Sequence, residues 1–145
     1  MIERSLFFRV VVIGWLLTAV IGCSSANKDP RCYPVTGKVT FKGKPAQYAV
    51  VSFIPADTAE GRMPAAGVVD EFGDFSLMTQ KRIEGAQPGK YLVKFTYRIP
   101  GNPGTDDAEY GRELLPKKYL DTATSGYEFT VEPTENDVPP FALTP

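Results

Sequence analysis

Residues 91–98, Tyr-Leu-Val-Lys-Phe-Thr-Tyr-Arg, decide the fold. Large apolar side chains stand at Tyr91, Val93, Phe95 and Tyr97, and mostly smaller or charged ones stand between them. Successive side chains of a β-strand point to opposite faces of the sheet, so a period of two predicts a half-buried strand. The stretch therefore predicts a sheet whose aromatic face covers a core.

The same period recurs on both sides of this stretch. Six further runs carry it, at residues 35–41, 49–54, 67–69, 75–78, 127–132 and 138–143. The second of these is apolar on both faces, which indicates a central strand. The last lies beside prolines, which indicates an edge strand. The loop around Gly73 predicts a hairpin that joins residues 67–69 to 75–78 and has a left-handed backbone at that glycine.

The composition agrees with one β domain. The chain has 145 residues, of which 43% are hydrophobic and 23% charged, and its 13 glycines and 13 prolines are typical of turn-rich proteins. Residues 99–126 are irregular, with at most a helical turn at 108–115. Seven short strands without a convincing helix predict an all-β fold, a seven-stranded Greek-key β-sandwich over residues 35–145.

Two features of the composition exclude classes of function. The sequence has no histidine, which excludes mechanisms that need an imidazole as base or metal ligand. A net charge of −1 gives no positive field for nucleic acid. Asp70, Glu71 and Asp74 lack the spacing of a calcium-binding EF-hand, so they indicate turn chemistry. We therefore predict no catalytic residue, no metal and no cofactor.

The first 22 residues predict a secretory signal. Arg4 and Arg9 precede 13 uncharged residues, which as a helix cover about 20 Å, too short for the hydrocarbon core of a bilayer. The following Val20-Ile21-Gly22-Cys23 resembles the lipobox of bacterial lipoproteins. That resemblance implies cleavage after Gly22 and acylation of Cys23, including a fatty acid such as palmitate. Two or more acyl chains hold a protein stably on a membrane.

The expected organisation follows from this resemblance. Residues 1–22 are the signal peptide, 23–34 are the lipidated cysteine and a polar linker, and 35–145 are the domain. The expected location is the bacterial cell envelope, with Ser24 after the cysteine favouring an outer membrane. An acylated Cys23 leaves Cys32 without an intramolecular disulfide partner, and Cys32 is then an inert thiol, an intermolecular bridge or a redox site.

The domain itself resembles a known family. Residues 37–40 read G-K-V-T, residues 43–45 form a glycine-proline turn, residues 70–75 read D-E-F-G-D-F, and residues 88–91 read P-G-K-Y. In this order the four motifs are similar to the carboxypeptidase regulatory-like, transthyretin-like domain. The resemblance covers residues 35–97 and implies a scaffold without catalytic residues of its own.

We therefore expect a noncatalytic, lipid-anchored envelope protein whose β-sandwich binds another envelope protein or a glycan. The candidate contact residues lie in the 99–126 stretch and are Asp106, Asp107, Glu109, Tyr110 and Arg112. One alternative is a carrier of a small hydrophobic ligand. Another is a histidine-free hydrolase that uses the carboxylate pair Asp106 and Glu109, or Asp70 and Asp74. The sequence leaves the oligomeric state open.

Overall fold

The computed structural model describes residues 31–59, 61–102 and 109–145. These residues form two β-sheets in a sandwich-like arrangement with almost no helix, which confirms the all-β, sandwich-like part of the prediction. The ten strands are β1 (Val35–Phe41), β2 (Lys44–Pro45), β3 (Ala49–Pro55), β4 (Ala65–Val68), β5 (Asp74–Ser76), β6 (Met78–Thr79), β7 (Gly89–Tyr97), β8 (Tyr127–Val131), β9 (Asn136–Asp137) and β10 (Phe141–Leu143). Each of the seven predicted runs coincides with at least one of them. The strands outside these runs, β2 and β9, have only two residues each, which is too few to show a period of two.

The first sheet is built on β1. β2 and β5 pair with it antiparallel, and β9 and β10 pair with it in parallel. Pro139 and Pro140 separate β9 from β10, because proline has no N–H to donate to the ladder. The last strand lies at the end of this sheet, as the prolines predict.

The second sheet has the order β6-β4-β3-β7-β8, with each neighbouring pair antiparallel. β3 lies in the middle, which confirms its predicted central position. Its register with β7 places Val51 opposite Phe95 and Phe53 opposite Val93. All four of these side chains are fully buried.

The predicted hairpin between residues 67–69 and 75–78 is wrong. β4 belongs to the second sheet and β5 to the first, so the turn between them carries the chain from one sheet to the other. The left-handed conformation predicted at Gly73 is confirmed, with φ of +87°. The chain crosses back at once through the buried Leu77, and β6 pairs with β4.

Aromatic side chains fill the space between the sheets. The ring of Phe95 on β7 meets that of Phe141 on β10 edge to face, with 5.1 Å between centroids, and this contact joins the two sheets. Phe75 and Tyr91 are buried as expected. Phe129 is partly buried and packs on Phe53, with 6.1 Å between ring centroids.

The helical turn expected at 108–115 is also wrong, since residues 109–115 are not helical. A 3₁₀ turn (Lys117–Leu120) and the four-residue helix α1 (Thr122–Ser125) follow instead. Asp121 caps α1 by accepting a hydrogen bond from the Ala123 N–H. Leu115 and Tyr119 are buried, so the second half of the irregular stretch packs on the core. Within the described ranges no helix has the length and apolar character needed to cross a bilayer.

Candidate functional site

The direction of β1 gives the domain two distinct ends. At the first residue of β1, the incoming chain is held by a β-bridge between Tyr33 and Ala86 and by a hydrogen bond from the Asn136 N–H to the Pro34 carbonyl. β1 then runs for seven residues, roughly 20 Å, to Phe41. We call the end at which the chain enters the proximal end and the opposite one the distal end.

Three parts of the described chain meet at the distal end, at residues 42–48, at 68–73, and at 98–102 with 109–113. The Val39 N–H donates to the Gly73 carbonyl at 2.8 Å, and the Tyr48 N–H donates to the Val69 carbonyl at 2.9 Å. The register of β3 with β7 places Tyr97 beside Ala49. Segments far apart in sequence are thereby gathered on one surface.

A loop at residues 99–112, called the projecting loop below, is described at residues 99–102 and 109–112, and these residues form one part of the distal end. Its described base is a short antiparallel ladder, in which the Gly101 N–H donates to the Glu109 carbonyl and the Gly111 N–H donates to the Ile99 carbonyl. Pro100 and Tyr110 form a β-bridge between these bonds. Ile99 is 48% and Tyr110 71% exposed, so the loop presents apolar surface to solvent.

The structure places the predicted contact residues as follows. Glu109, Tyr110 and Arg112 are exposed in the projecting loop. Asp106 and Asp107 lie outside the described residues, as does the predicted lipidation site, Cys23. The predicted contact residues that the structure describes therefore all lie in one loop at the distal end.

Glu113, which the sequence analysis missed, closes the loop. Its side chain is only 15% exposed, and its Oε1 accepts hydrogen bonds from the Tyr97 and Leu115 N–H groups at 2.8 and 3.1 Å. The Leu114 N–H donates to the Tyr97 carbonyl. One carboxylate thus holds together the strand that leaves the core and the chain that returns to it.

An open groove runs beside the turn between β4 and β5. Its larger part has a volume of about 890 Å³ and its smaller part about 370 Å³, and both parts include Val68 and Asp70. The larger part is also lined by Lys38, Asp74, Asp137, Pro139 and Pro140, and the smaller part by Glu71 and Phe72. Val68 is 63% and Phe72 66% exposed at its distal side.

The carboxylates beside this turn shape the backbone. Asp70 Oδ1 accepts hydrogen bonds from the Phe72 and Asp74 N–H groups, which is the turn chemistry that the sequence predicts. The Lys38 ammonium lies 2.8 Å from the Asp74 carboxylate and donates to the Phe72 carbonyl at 2.9 Å. Both Asp70 and Asp74, one of the two carboxylate pairs considered for a hydrolase, are therefore engaged in interactions that hold the turn. In the part of the chain that is described, no three Cys, Asp or Glu side chains group as a metal site needs.

Burial changes the acidity of two groups near the proximal end. Burial raises the pKa of the half-buried Cys32 thiol above 9.0, which lowers the fraction of reactive thiolate. Burial also raises the pKa of the Tyr91 hydroxyl above 10.0, although the positive charge of Arg62 opposes the shift. The Tyr91 hydroxyl donates to the Gln87 carbonyl at 3.0 Å, so it serves the core.

Comparison with known proteins shows a distant structural similarity. The sequence matches no protein-family model and no curated protein. It is similar to the crystal structure of a DUF3823 family protein from Parabacteroides merdae, with 20% identity and a TM-score of 0.40. The match covers 81% of this chain and 48% of that one, so the chain spans about half the length of that protein.

Proposed function

We propose that this chain is a noncatalytic envelope lipoprotein, tethered to a membrane through an acylated Cys23, whose distal end binds another envelope protein or a glycan. The lipobox-like sequence at residues 20–23 supports the tether. The placement of exposed apolar side chains supports the binding role.

The proposal rests on the position of the proximal and distal ends at opposite sides of the domain. The chain enters the domain at the proximal end, and β1 leads directly away from that end. A tether that precedes residue 31 therefore joins the domain at the proximal end and leaves the distal end free to reach a partner. Loops held at one end of a rigid scaffold are common binding sites.

Exposed apolar side chains concentrate at the same end. Of the five large hydrophobic residues found exposed among those described, four lie at the distal end, namely Val68, Phe72, Ile99 and Tyr110. The fifth, Met78, lies on the edge strand β6 of the second sheet, where it pairs with Ala66. Exposed apolar side chains grouped on one surface are typical of interaction sites.

We also propose that the scaffold is the transthyretin-like, Greek-key type that the four motifs resemble. Their residues serve the fold in the described structure: Gly73 adopts a left-handed turn, and Phe75 and Tyr91 are buried. Motif residues that serve the fold support a binding role for the domain better than a catalytic one.

Metabolic labelling with radioactive palmitate tests the tether. The wild-type chain should incorporate label, and Cys23→Ser should not, whereas Cys32→Ser should keep it. Trp15 is the only tryptophan, so native processed protein should show tyrosine emission alone. Label retained in Cys23→Ser, or tryptophan emission from the native membrane form, would refute the proposed processing.

Site-specific photocrosslinking in living cells tests the distal contact. A photoreactive residue at Tyr110 should give a discrete crosslinked product, and the same residue at Met78, which is also exposed but lies away from the distal end, serves as a control. Digestion of the product with protease or with a glycan hydrolase identifies its class. Equal crosslinking from both positions, or from neither, would contradict a distal binding surface.

A further inference from the structure

We propose that the groove beside the β4–β5 turn binds an extended, lysine- or arginine-bearing segment of a partner protein. The inference rests on the proposed function, because Val68 and Phe72 belong both to the groove and to the distal end. It goes further by naming the partner's chemistry and a second contact surface outside the projecting loop.

The groove has an open shape and a partly apolar lining. It is open to solvent, and it borders β1 and β5 from Asp137 to Val68. Val68 and Phe72 are about two-thirds exposed at its distal side, and Pro139 and Pro140 line its other side. Open apolar surface along strands suits an extended chain, because alternate side chains of that chain then face the groove.

The lining of the groove also carries a net negative charge. Four carboxylates line the groove, those of Asp70, Glu71, Asp74 and Asp137, against the single ammonium group of Lys38. That ammonium already pairs with Asp74. The groove is therefore more negative than the whole chain, whose net charge is −1. A basic segment is attracted by this charge, whereas a neutral glycan gains nothing from it and an anionic surface is repelled.

The two properties together match long basic side chains. The aliphatic part of lysine or arginine can cover Val68 and Pro139 while its charged end reaches a carboxylate. A cation can also lie over the exposed ring of Phe72. Apolar and acidic groups within one groove therefore favour a peptide that carries both basic and apolar residues.

The test uses the purified full chain in detergent and a fluorescein-labelled octapeptide of alternating lysine and valine. We expect binding by fluorescence anisotropy, and an affinity about three- to fivefold weaker for Asp137→Asn at low salt. The matched control, Glu128→Gln, removes one exposed carboxylate from β8 in the second sheet and should bind as the wild type. Val68→Ser should weaken binding, and Met78→Ser should not. Unchanged thermal midpoints show that the variants remain folded.

Several outcomes would overturn the inference. Equal affinities for Asp137→Asn and Glu128→Gln would show attraction by overall charge alone. Equal binding of an octapeptide of alternating glutamate and valine would remove the charge argument. Competition by peptidoglycan fragments, weakened by the same variants, would make the occupant a glycan. Self-association that is lost in Val68→Ser would make it a second copy of the chain.

Failure of this inference is separable from failure of the proposed function. The crosslink at Tyr110 reports on the projecting loop in the cell and does not involve Asp137. A crosslink without binding of the lysine–valine peptide would leave the distal binding role standing and remove the groove from it. Absence of both would remove the two proposals together.

Discussion

The Glu113 carboxylate accepts a hydrogen bond from the backbone N–H of Tyr97, 2.8 Å away, although the two residues lie on opposite sides of the projecting loop. Its Oε1 atom also accepts from the Leu115 N–H, and its Oε2 atom lies 3.5 Å from the Arg98 Nε. The base of the loop is therefore held by one largely buried side chain.

Glu113→Ala should lower the free energy of unfolding by about 1–3 kcal/mol, because two backbone N–H groups lose their acceptor in a mostly buried place. Glu113→Gln keeps an acceptor oxygen and should lose less. Urea titrations followed by circular dichroism measure both. Glu128→Ala, whose side chain is 60% exposed, is the control and should stay close to the wild type. Equal losses for Glu113→Ala and Glu128→Ala would show that the carboxylate does not hold the loop.

Gly67→Ala should lower the free energy of unfolding by about 3 kcal/mol, because overpacking forces the backbone to shift. A Cβ atom at this position would lie 2.3 Å from the Ser76 carbonyl oxygen, where β4 and β5 pass each other between the sheets. Gly43→Ala tests strain alone, since its φ is +75° and nothing lies within 4 Å, and should cost about 1 kcal/mol. Guanidinium unfolding that ranks the two variants in the opposite order would contradict the close approach.

Asn136→Ala should lower the free energy of unfolding by about 3 kcal/mol, because the buried Asn136 amide makes several hydrogen bonds to backbone groups that alanine cannot make. The amide oxygen of Asn136 accepts from the Glu132 N–H at 2.9 Å, and its NH₂ group donates to the Thr134 carbonyl at 2.6 Å and to Pro34 at 3.4 Å. The neighbouring exposed Asp137→Ala should change stability by less than about 0.5 kcal/mol. Thermal unfolding compares them, and similar midpoints would argue against the network.

The stability of the protein should fall above pH 10, partly through Tyr91. Its pKa is raised in the folded state above the ordinary 10.0, so the folded state holds the proton more tightly than the unfolded state. This stabilisation is complete below pH 10 and is lost as the pH rises through the folded pKa. Tyr91→Phe should therefore lose less stability than the wild type as the pH rises above 10.

Urea midpoints across this pH range measure the effect, with the exposed Tyr110→Phe as control. At neutral pH Tyr91→Phe should be less stable by about 1 kcal/mol, because it lacks the hydrogen bond to the Gln87 carbonyl. Parallel pH profiles for Tyr91→Phe and the wild type would show that Tyr91 contributes nothing to the alkaline loss.

Local features of the sequence predicted local features of the structure. The period of two located strands because side-chain direction in a strand depends only on the parity of the position. The two apolar faces of residues 49–54 predicted a central strand, and Gly73 predicted a left-handed turn, since both properties reside in the residues themselves. The aromatic face of residues 91–97 likewise predicted the core.

Strand pairing was less predictable. Residues 67–69 and 75–78 are close in sequence, and closeness favours a hairpin, but the clearance at Gly67 lets β4 and β5 cross between sheets instead. The structural roles of Glu113 and Asn136 gave no sequence signal. Asn136 contacts Pro34 across 102 positions, and the Tyr97 partner of Glu113 is 16 positions away.

By itself the sequence determined an all-β domain, the inward and outward faces of its main strands, and a candidate loop that includes Glu109, Tyr110 and Arg112. Only the tertiary structure decided that Val68 and Phe72 share the end of the domain that carries this loop, and that Asp137 lines the groove leading toward them. The physical reason is that side-chain alternation is a property of one strand, whereas the neighbours of each strand depend on how both sheets pack around a common core.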